Sequence, residues 1–561
     1  MLAVEAIAEE IARQGVREVF TYMSRDIIKL MAELSARGIT IYQARHEHGA
    51  VGMADGYARA TGRVAVVLVG AGVGLTNGLN ALITAAKAHS RVLLFVGEVP
   101  GGGLGTAKAR NATKYVDQRR LFEALAIRHV HMPSPESSRA DIRACFELAE
   151  RGGEVLAVSL PSEVLDGESG DAPSTLGLDA PGAAAGLSSE DQATLVEILE
   201  EGAVASRTVI LAGRGAVRAD AGADLMRLGE ATGALLATSV MARELFASSP
   251  YYAGISGTFS TPLGTELLTS ATLVLAFGAS LNYYTTYLGD IFGKARVVQI
   301  DNRAPALGKY QHVDIAIEAD ARVAAAQLAD ELERKRHHVV GYRTAETAQR
   351  IAESRGEARR FADRSSAAGM DPRTLMRALD DLLPKDRTLV VDVGHFMDFP
   401  IAHMSVPAPR AFVWPIEYTA VGSGLGPALG AAVAHRDRLT VLFIGDGGMM
   451  MTLADLHTAV RYQLRLLIVV CNDSALSGEL HFLRESGYGD ELARSENPSF
   501  EAIARGIGFE AATITSVSEL ESLRGRLSRP DGPMLLDCRI TPEVVADSRN
   551  LLAALIRTGV A

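Results

Sequence analysis

Apolar residues in this chain fall into short unbroken runs, separated by stretches with helical spacing. "VAVVLVG" (64–70), "RVLLFVGEVP" (91–100) and "EVLAVSLP" (154–161) come first. "RTVILAGRG" (207–215), "ATLVLAFGAS" (271–280) and "ARVVQIDN" (295–302) follow. "RTLVVDVG" (387–394), "LTVLFIGDGG" (439–448), "LRLLIVVCND" (464–473) and "PMLLDCRI" (533–540) close the set. A strand with one wet face alternates apolar and polar residues, whereas a continuous run means that both faces are covered. The expected architecture is therefore α/β: parallel sheets built from strand–helix–strand crossovers. At the start, "MLAVEAIAEEIARQG" has the pattern of an amphipathic helix.

Two stretches interrupt this rhythm. Residues 165–190 are rich in Gly, Ala, Pro, Ser and Asp and read as a linker. Residues 333–372 carry a long charged helical stretch ending in "AAGMDPRT". The breaks divide the chain into three doubly wound parallel-sheet domains, at 1–165, 190–335 and 370–545. The first and third share a plan of strands with glycine-rich strand-to-helix turns.

Composition narrows the function. With 561 residues, 48% of them hydrophobic, the chain can bury several cores. A net charge of −11 argues against nucleic acid as the main partner. The three cysteines, Cys145, Cys471 and Cys538, are too few and too scattered for a disulfide framework or a zinc site, and a reducing, cytoplasmic setting is expected. The first residues lack the basic and apolar regions of a signal peptide, and no run is long enough for a membrane span.

Chemistry enters where two strands stop. "TVLFIGDGGMM" (440–450) ends an apolar run at Gly445-Asp446-Gly447-Gly448, and "LRLLIVVCNDS" (464–474) ends one at Asn472, 26 residues after Asp446. In an open parallel sheet, ligands bind beyond the carboxyl ends of the strands. A carboxylate, an amide oxygen and nearby backbone carbonyls are hard oxygen donors suited to Mg²⁺. The glycines let the backbone approach a phosphate, and a helix N-terminus, expected near Thr452, favours an anion. A metal with a phosphorylated ligand explains both stops, whereas either stop alone reads more readily as a tight turn.

The "GDGG…ND" spacing resembles the thiamin-diphosphate-binding motif. "RHEHGAVGMADGYARATGR" (45–63) resembles the catalytic-glutamate segment of the acetolactate synthase and pyruvate decarboxylase superfamily, and "VILAGRGA…FGAS…VVQIDNRAPALGKY" resembles its central domain. The resemblance implies a pyrimidine-binding, a central and a diphosphate-binding domain, in a homodimer or homotetramer whose active sites are shared between subunits. Glu47 is then a buried carboxyl, raised in pKa by desolvation, that exchanges a proton with the aminopyrimidine ring and so promotes loss of the thiazolium C2 proton. Otherwise it is a first-turn glutamate favoured by the helix dipole. Asp446, Asn472 and the Ser474 carbonyl would hold Mg²⁺, with Gly445, Gly447, Gly448 and Met449 along the diphosphate.

In "IEYTAVGSGLGPALGAAVA" (416–434), Val421 takes the place of the bulky residue that props the bent cofactor, though it is smaller than usual. Thr419 sits where a backbone carbonyl meets the aminopyrimidine. His395 in "VDVGHFMD" (391–398) lies where the family touches the diphosphate, or is a turn residue. In "FTYMSRD" (20–26), Arg25 could hold a substrate carboxylate or be a solvated charge. His48 could shuttle protons or satisfy backbone groups. Glu98 stands where Gln is usual, and Glu479 and His481 are polar candidates over the thiazolium.

The implied activity is a carboligase or lyase of the acetolactate-synthase-like group. It would make or break the C–C bond next to a carbonyl of a 2-oxo acid, acyloin or aldehyde. A simple non-oxidative 2-oxo acid decarboxylase is the close alternative, and a non-catalytic cofactor-binding homologue is the rival from another class. Some relatives bind FAD or ADP against the central domain, but "LAGRGAVR" is too generic to select that.

Overall fold

The protein is described by a computed structural model covering residues 1–103, 105–178, 185–202, 205–357, 361–546 and 548–549. Among these residues, eighteen strands form three six-stranded sheets. The first sheet contains β1 (Glu18–Thr21), β2 (Thr40–Gln43), β3 (Ala65–Val69), β4 (Val92–Glu98), β5 (Arg128–His131) and β6 (Leu156–Pro161). The middle sheet contains β7 (Thr208–Ala212), β8 (Leu235–Thr238), β9 (Tyr252–Ile255), β10 (Leu273–Phe277), β11 (Arg296–Asp301) and β12 (Ile315–Glu318). The third contains β13 (Arg387–Val391), β14 (Phe412–Val413), β15 (Leu439–Gly445), β16 (Leu466–Asn472), β17 (Glu510–Ile514) and β18 (Met534–Arg539).

The first and third sheets repeat one topology, with strand orders β2-β1-β3-β4-β6-β5 and β14-β13-β15-β16-β18-β17. The middle sheet runs β12-β11-β10-β7-β8-β9. Pairing is parallel throughout the first sheet and the middle sheet. These are doubly wound α/β sheets. The unbroken apolar runs became their central strands, buried along their length in β3, β4, β10 and β16.

The first and third sheets belong to one compact unit and the middle sheet to another. In the former, one apolar core runs from Val67 and Val69 through Val51 and Met53 to Leu429, Leu442 and Ile468. Each such buried aliphatic side chain contributes about 1.5–3 kcal/mol. The Glu47–Thr61 helix crosses the Leu425–Ala434 helix at backbone contact distance. A Cβ on Gly430 would lie 1.9 Å from the Met53 carbonyl oxygen, and one on Gly56 would lie 2.1 Å from that of Pro427. The glycines that read as motif residues therefore also set the helix–helix distance.

Several details differ from expectation. The helix after the Gly445 stop begins at Asp446, not near Thr452, and ends at Thr452. A 3-10 turn (Leu453–Asp455) and a second helix (Leu456–Arg461) follow it. The charged stretch at 333–372 is broken: one helix ends at Arg334 and another spans Ala345–Glu357. Part of the 165–190 linker, residues 179–184, lies outside the described residues, as do 358–360 of the charged stretch. Among the described residues, no helix is long and apolar enough to cross a membrane.

Candidate active site

In the third sheet the winding reverses between β13 and β15, which opens a crevice at the carboxyl ends of those strands. Asp392 follows β13. Gly445 ends β15 and caps the Asp446–Thr452 helix. β15 pairs with β16 through Gly445↔Cys471, so Asp446 and Asn472 leave adjacent strands together. The two stops are one place.

Asp446 is 3% exposed, and burial pushes its carboxyl pKa up, against hydrogen bonds from the Gly447 N–H and Asn497. The Asn472 amide donates from Nδ2 to Asp537 Oδ1 at 2.8 Å. Its Oδ1 therefore turns toward Ser474, whose N–H it accepts at 3.2 Å. Ser474 closes this turn with φ +56°, and its carbonyl accepts the Ser495 N–H at 2.9 Å. Among the described residues, no three His, Cys, Asp or Glu side chains gather in metal-holding geometry. A cation here would rest on one carboxylate with amide and carbonyl oxygens, a donor set that fits a hard divalent ion.

The glycines in the first turn of the Asp446–Thr452 helix leave little room for side chains. A Cβ on Gly448 would lie 2.5 Å from Asp392 Oδ2, and one on Gly447 would lie 2.9 Å from Leu476 Cδ2. Met449 is fully buried behind them. Asp392 also accepts the Gly422 N–H at 3.0 Å, so its carboxylate pins the 422–424 loop while Gly448 packs against it. Burial pushes its pKa up to about 7, against N–H donors from Val393 and Gly422–Gly424. Half-buried Val421 precedes Gly422, and Thr419 is exposed with a left-handed backbone at φ +51°. His395 opens a 3-10 turn, its ring 4.6 Å from that of buried His481. Glycines stripped of Cβ space beside an oxygen donor set fit a diphosphate held through a cation.

In the first sheet, Glu47 opens its helix after β2 and is 7% exposed. Its Oε2 accepts the Asn77 amide at 3.1 Å. A Cβ on Gly74 would lie 3.4 Å from Oε1. The first turns of the Val73–Lys87 helix, which follows β3, thus cradle the carboxyl. His48 hydrogen-bonds the Gly422 backbone, and burial with neighbouring His46 pushes its pKa down. Such an imidazole is neutral at pH 7, and it satisfies a backbone group. Arg25 is exposed and has no hydrogen-bond or ion-pair partner among the described residues. Its neighbour Asp26 accepts from Lys114 at 2.9 Å, Ser24 at 3.0 Å and the Ala71 N–H at 3.2 Å. These bonds hold the Asp26 pKa below the usual range although burial opposes them. Glu98 pairs with His131 at 2.8 Å.

The structure therefore brings Asp446, Asn472, Ser474 and the glycine loops together, and ties the start of the Glu47 helix to Gly422. It leaves Arg25 at the surface. Asn77, Asp392, Asp537 and Asn497 escaped the sequence reading. Asp392 lies inside "VDVGHFMD", where a carboxylate beside a glycine was the available signal, and Asn77 lies outside the motifs quoted above. Asn497 reaches Asp446 across 51 positions and left no signal.

Comparison with known proteins follows the same division. Residues 1–121 match the family profile "Thiamine pyrophosphate enzyme, N-terminal TPP binding domain", 194–328 its central domain and 392–538 its C-terminal TPP binding domain. A sulfoacetaldehyde acetyltransferase of Castellaniella defragrans is 26% identical over 93% of this chain and 89% of its own. A probable acetolactate synthase large subunit of Methanocaldococcus jannaschii is 27% identical over 97% and 92%. The solved structure of a thiamine diphosphate-dependent 4-hydroxybenzoylformate decarboxylase from Rhodococcus jostii shares the fold, with a TM-score of 0.77, 20% identity and coverage of 96% and 99%.

Proposed function

Because this chain belongs to the thiamine pyrophosphate enzymes of the acetolactate synthase and pyruvate decarboxylase superfamily, we propose that it is a Mg²⁺-dependent carboligase or lyase. It makes or breaks the C–C bond next to the carbonyl of a 2-oxo acid or acyloin. The observation that carries this reading is the pairing of Asp446 and Asn472 at adjacent strand ends. The acyl-transferring relatives support ligation. So does the segment 108–118, "KARNATKYVDQ", which lacks the tandem histidines of pyruvate decarboxylases.

Thiamin diphosphate, when bound, supplies a centre that stabilises a carbanion next to a carbonyl. Asp446, Asn472 Oδ1 and the Ser474 carbonyl hold the cation. Gly445, Gly447, Gly448 and Met449 line the diphosphate, with His395 beside them. Glu47, oriented by Asn77, holds and releases a proton at its carboxyl. Val421 and Thr419 support the base of the site. His48 fixes Gly422, and in this reading Arg25 meets a substrate carboxylate.

In this reading, 1–165 is the pyrimidine-binding domain, 190–335 the central domain and 370–545 the diphosphate-binding domain. Two or four copies share their sites. Exposed apolar side chains near the strand ends support a partner there: Met23 and Val73 beside the first sheet, Met451 (66%) and Leu492 (92%) beside the third. Three buried free thiols accord with a reducing, cytoplasmic setting.

The test is to supply purified protein, thiamin diphosphate and Mg²⁺ with 2-oxo acids, alone and mixed with aldehydes, and to identify products. A new C–C bond is expected. Aldehyde and CO₂ alone would assign simple decarboxylation, and no turnover with any acceptor or acyloin would overturn the proposal.

A further inference from the structure

One extended segment crosses both strand ends that form the oxygen donor set. The Leu476 N–H donates to the Ala493 carbonyl at 2.8 Å, and Ala475 bridges Arg494. The Ser495 N–H then reaches the Ser474 carbonyl at 2.9 Å. Two residues on, Asn497 Nδ2 donates to Asp446 Oδ2 at 2.5 Å. The segment thus touches the loops after β15 and β16 at once. It uses one of the two lone pairs of the Ser474 carbonyl, and it adds a side-chain donor to an Asp446 carboxylate that also accepts the Gly447 and Ser474 N–H groups.

We infer that Asn497 is a positioning residue for the cation: it holds one oxygen of Asp446, so that the other points into the site. The inference rests on the reading of Asp446 as a metal ligand. Asp537 does the same for the other strand end by fixing the Asn472 amide at 2.8 Å. Groups that orient metal ligands in this way set affinity, and removing one weakens metal binding roughly 10–100-fold. A half-buried asparagine is suited to the task. It donates to the carboxylate without adding a second negative charge that would compete for the cation.

The test is calorimetric titration of thiamin diphosphate into Asn497→Ala at graded Mg²⁺, beside parent and Asp446→Ala. The Mg²⁺ concentration for half-maximal cofactor capture should rise roughly 10–100-fold in Asn497→Ala. Cofactor affinity at saturating Mg²⁺ and the melting temperature of the cofactor-free protein should stay near the parent's. Asn497→Ser, a smaller change, carries the same test should the alanine variant be insoluble. An unchanged Mg²⁺ requirement alongside a shifted Asp446→Ala would overturn the role of Asn497 and leave the metal site intact. A fall in melting temperature and in saturating affinity together would make Asn497 merely structural. An Asp446→Ala variant with the parent's Mg²⁺ requirement would remove the metal site and this inference with it.

Discussion

At the scale of residues, Glu47 and Asp392 show how burial assigns chemistry. Glu47→Gln keeps shape and the Asn77 contact but removes the exchangeable proton. Cofactor should still bind, while exchange of its C2 proton, followed by quenched-flow NMR, slows by roughly a hundredfold or more. Near-parent exchange would take Glu47 out of the mechanism. Asn77→Ala removes a hydrogen bond to that carboxyl, worth about 1.5–3 kcal/mol. The same exchange should slow by roughly ten- to a hundredfold, and an unchanged rate would leave the amide as packing. Asp392 makes a pH prediction. Burial raises its carboxyl from 3.8 to about 7. Between about pH 4 and 7 the folded chain therefore keeps a proton that the unfolded chain releases. Stability falls as pH rises through that window, by on the order of a few kcal/mol, and the loss is complete above the folded pKa. The cofactor-free Asp392→Asn variant should show a flatter melting-temperature profile over the same range. Glu47 was legible because it begins a helix in a distinctive context. Asp392 was overshadowed by His395: a carboxylate beside a glycine was visible, but its burial depends on Gly422–Gly424, 30 positions away in sequence.

Elements were legible in proportion to their burial. The ten apolar runs all contain strands, because a strand covered on both faces leaves a continuous apolar record. The short strands β2, β5 and β12 went unread: their residues are largely exposed or half-buried, and their runs are only four residues long. β8 is fully buried but equally short, and "LLAT" is too brief to distinguish from a helical turn. The early start of the helix at Asp446 was hidden by its glycines, which read as a turn although Gly448 sits helically against Asp392. The clearest test of an element is the contact between the Glu47–Thr61 and Leu425–Ala434 helices. In Gly430→Ala the new methyl would lie 1.9 Å from the Met53 carbonyl oxygen, so the helices must separate. A loss of about 1–3 kcal/mol is expected from urea unfolding. An unchanged midpoint would mean that this crossing is loose.

For the whole molecule, the repeated strand order of the first and third sheets places two switch-point crevices in one chain, one carrying Glu47's cradle and the other the oxygen donors. The sequence showed their common plan but not their identity of order, since most of the edge strands, and the short interior β1 and β8, left no apolar run to read. The proposed chemistry requires the two strand stops to hold one cation and one diphosphate. The most direct test is thiamin diphosphate titration of Asp446→Ala, with and without Mg²⁺. The apolar body of β15 is untouched by that change, so the protein should fold and melt like the parent. It should also lose the Mg²⁺-dependent part of its cofactor affinity. If Asp446→Ala binds thiamin diphosphate as tightly as the parent, and still needs Mg²⁺ to do so, the cation is held elsewhere and the account is contradicted.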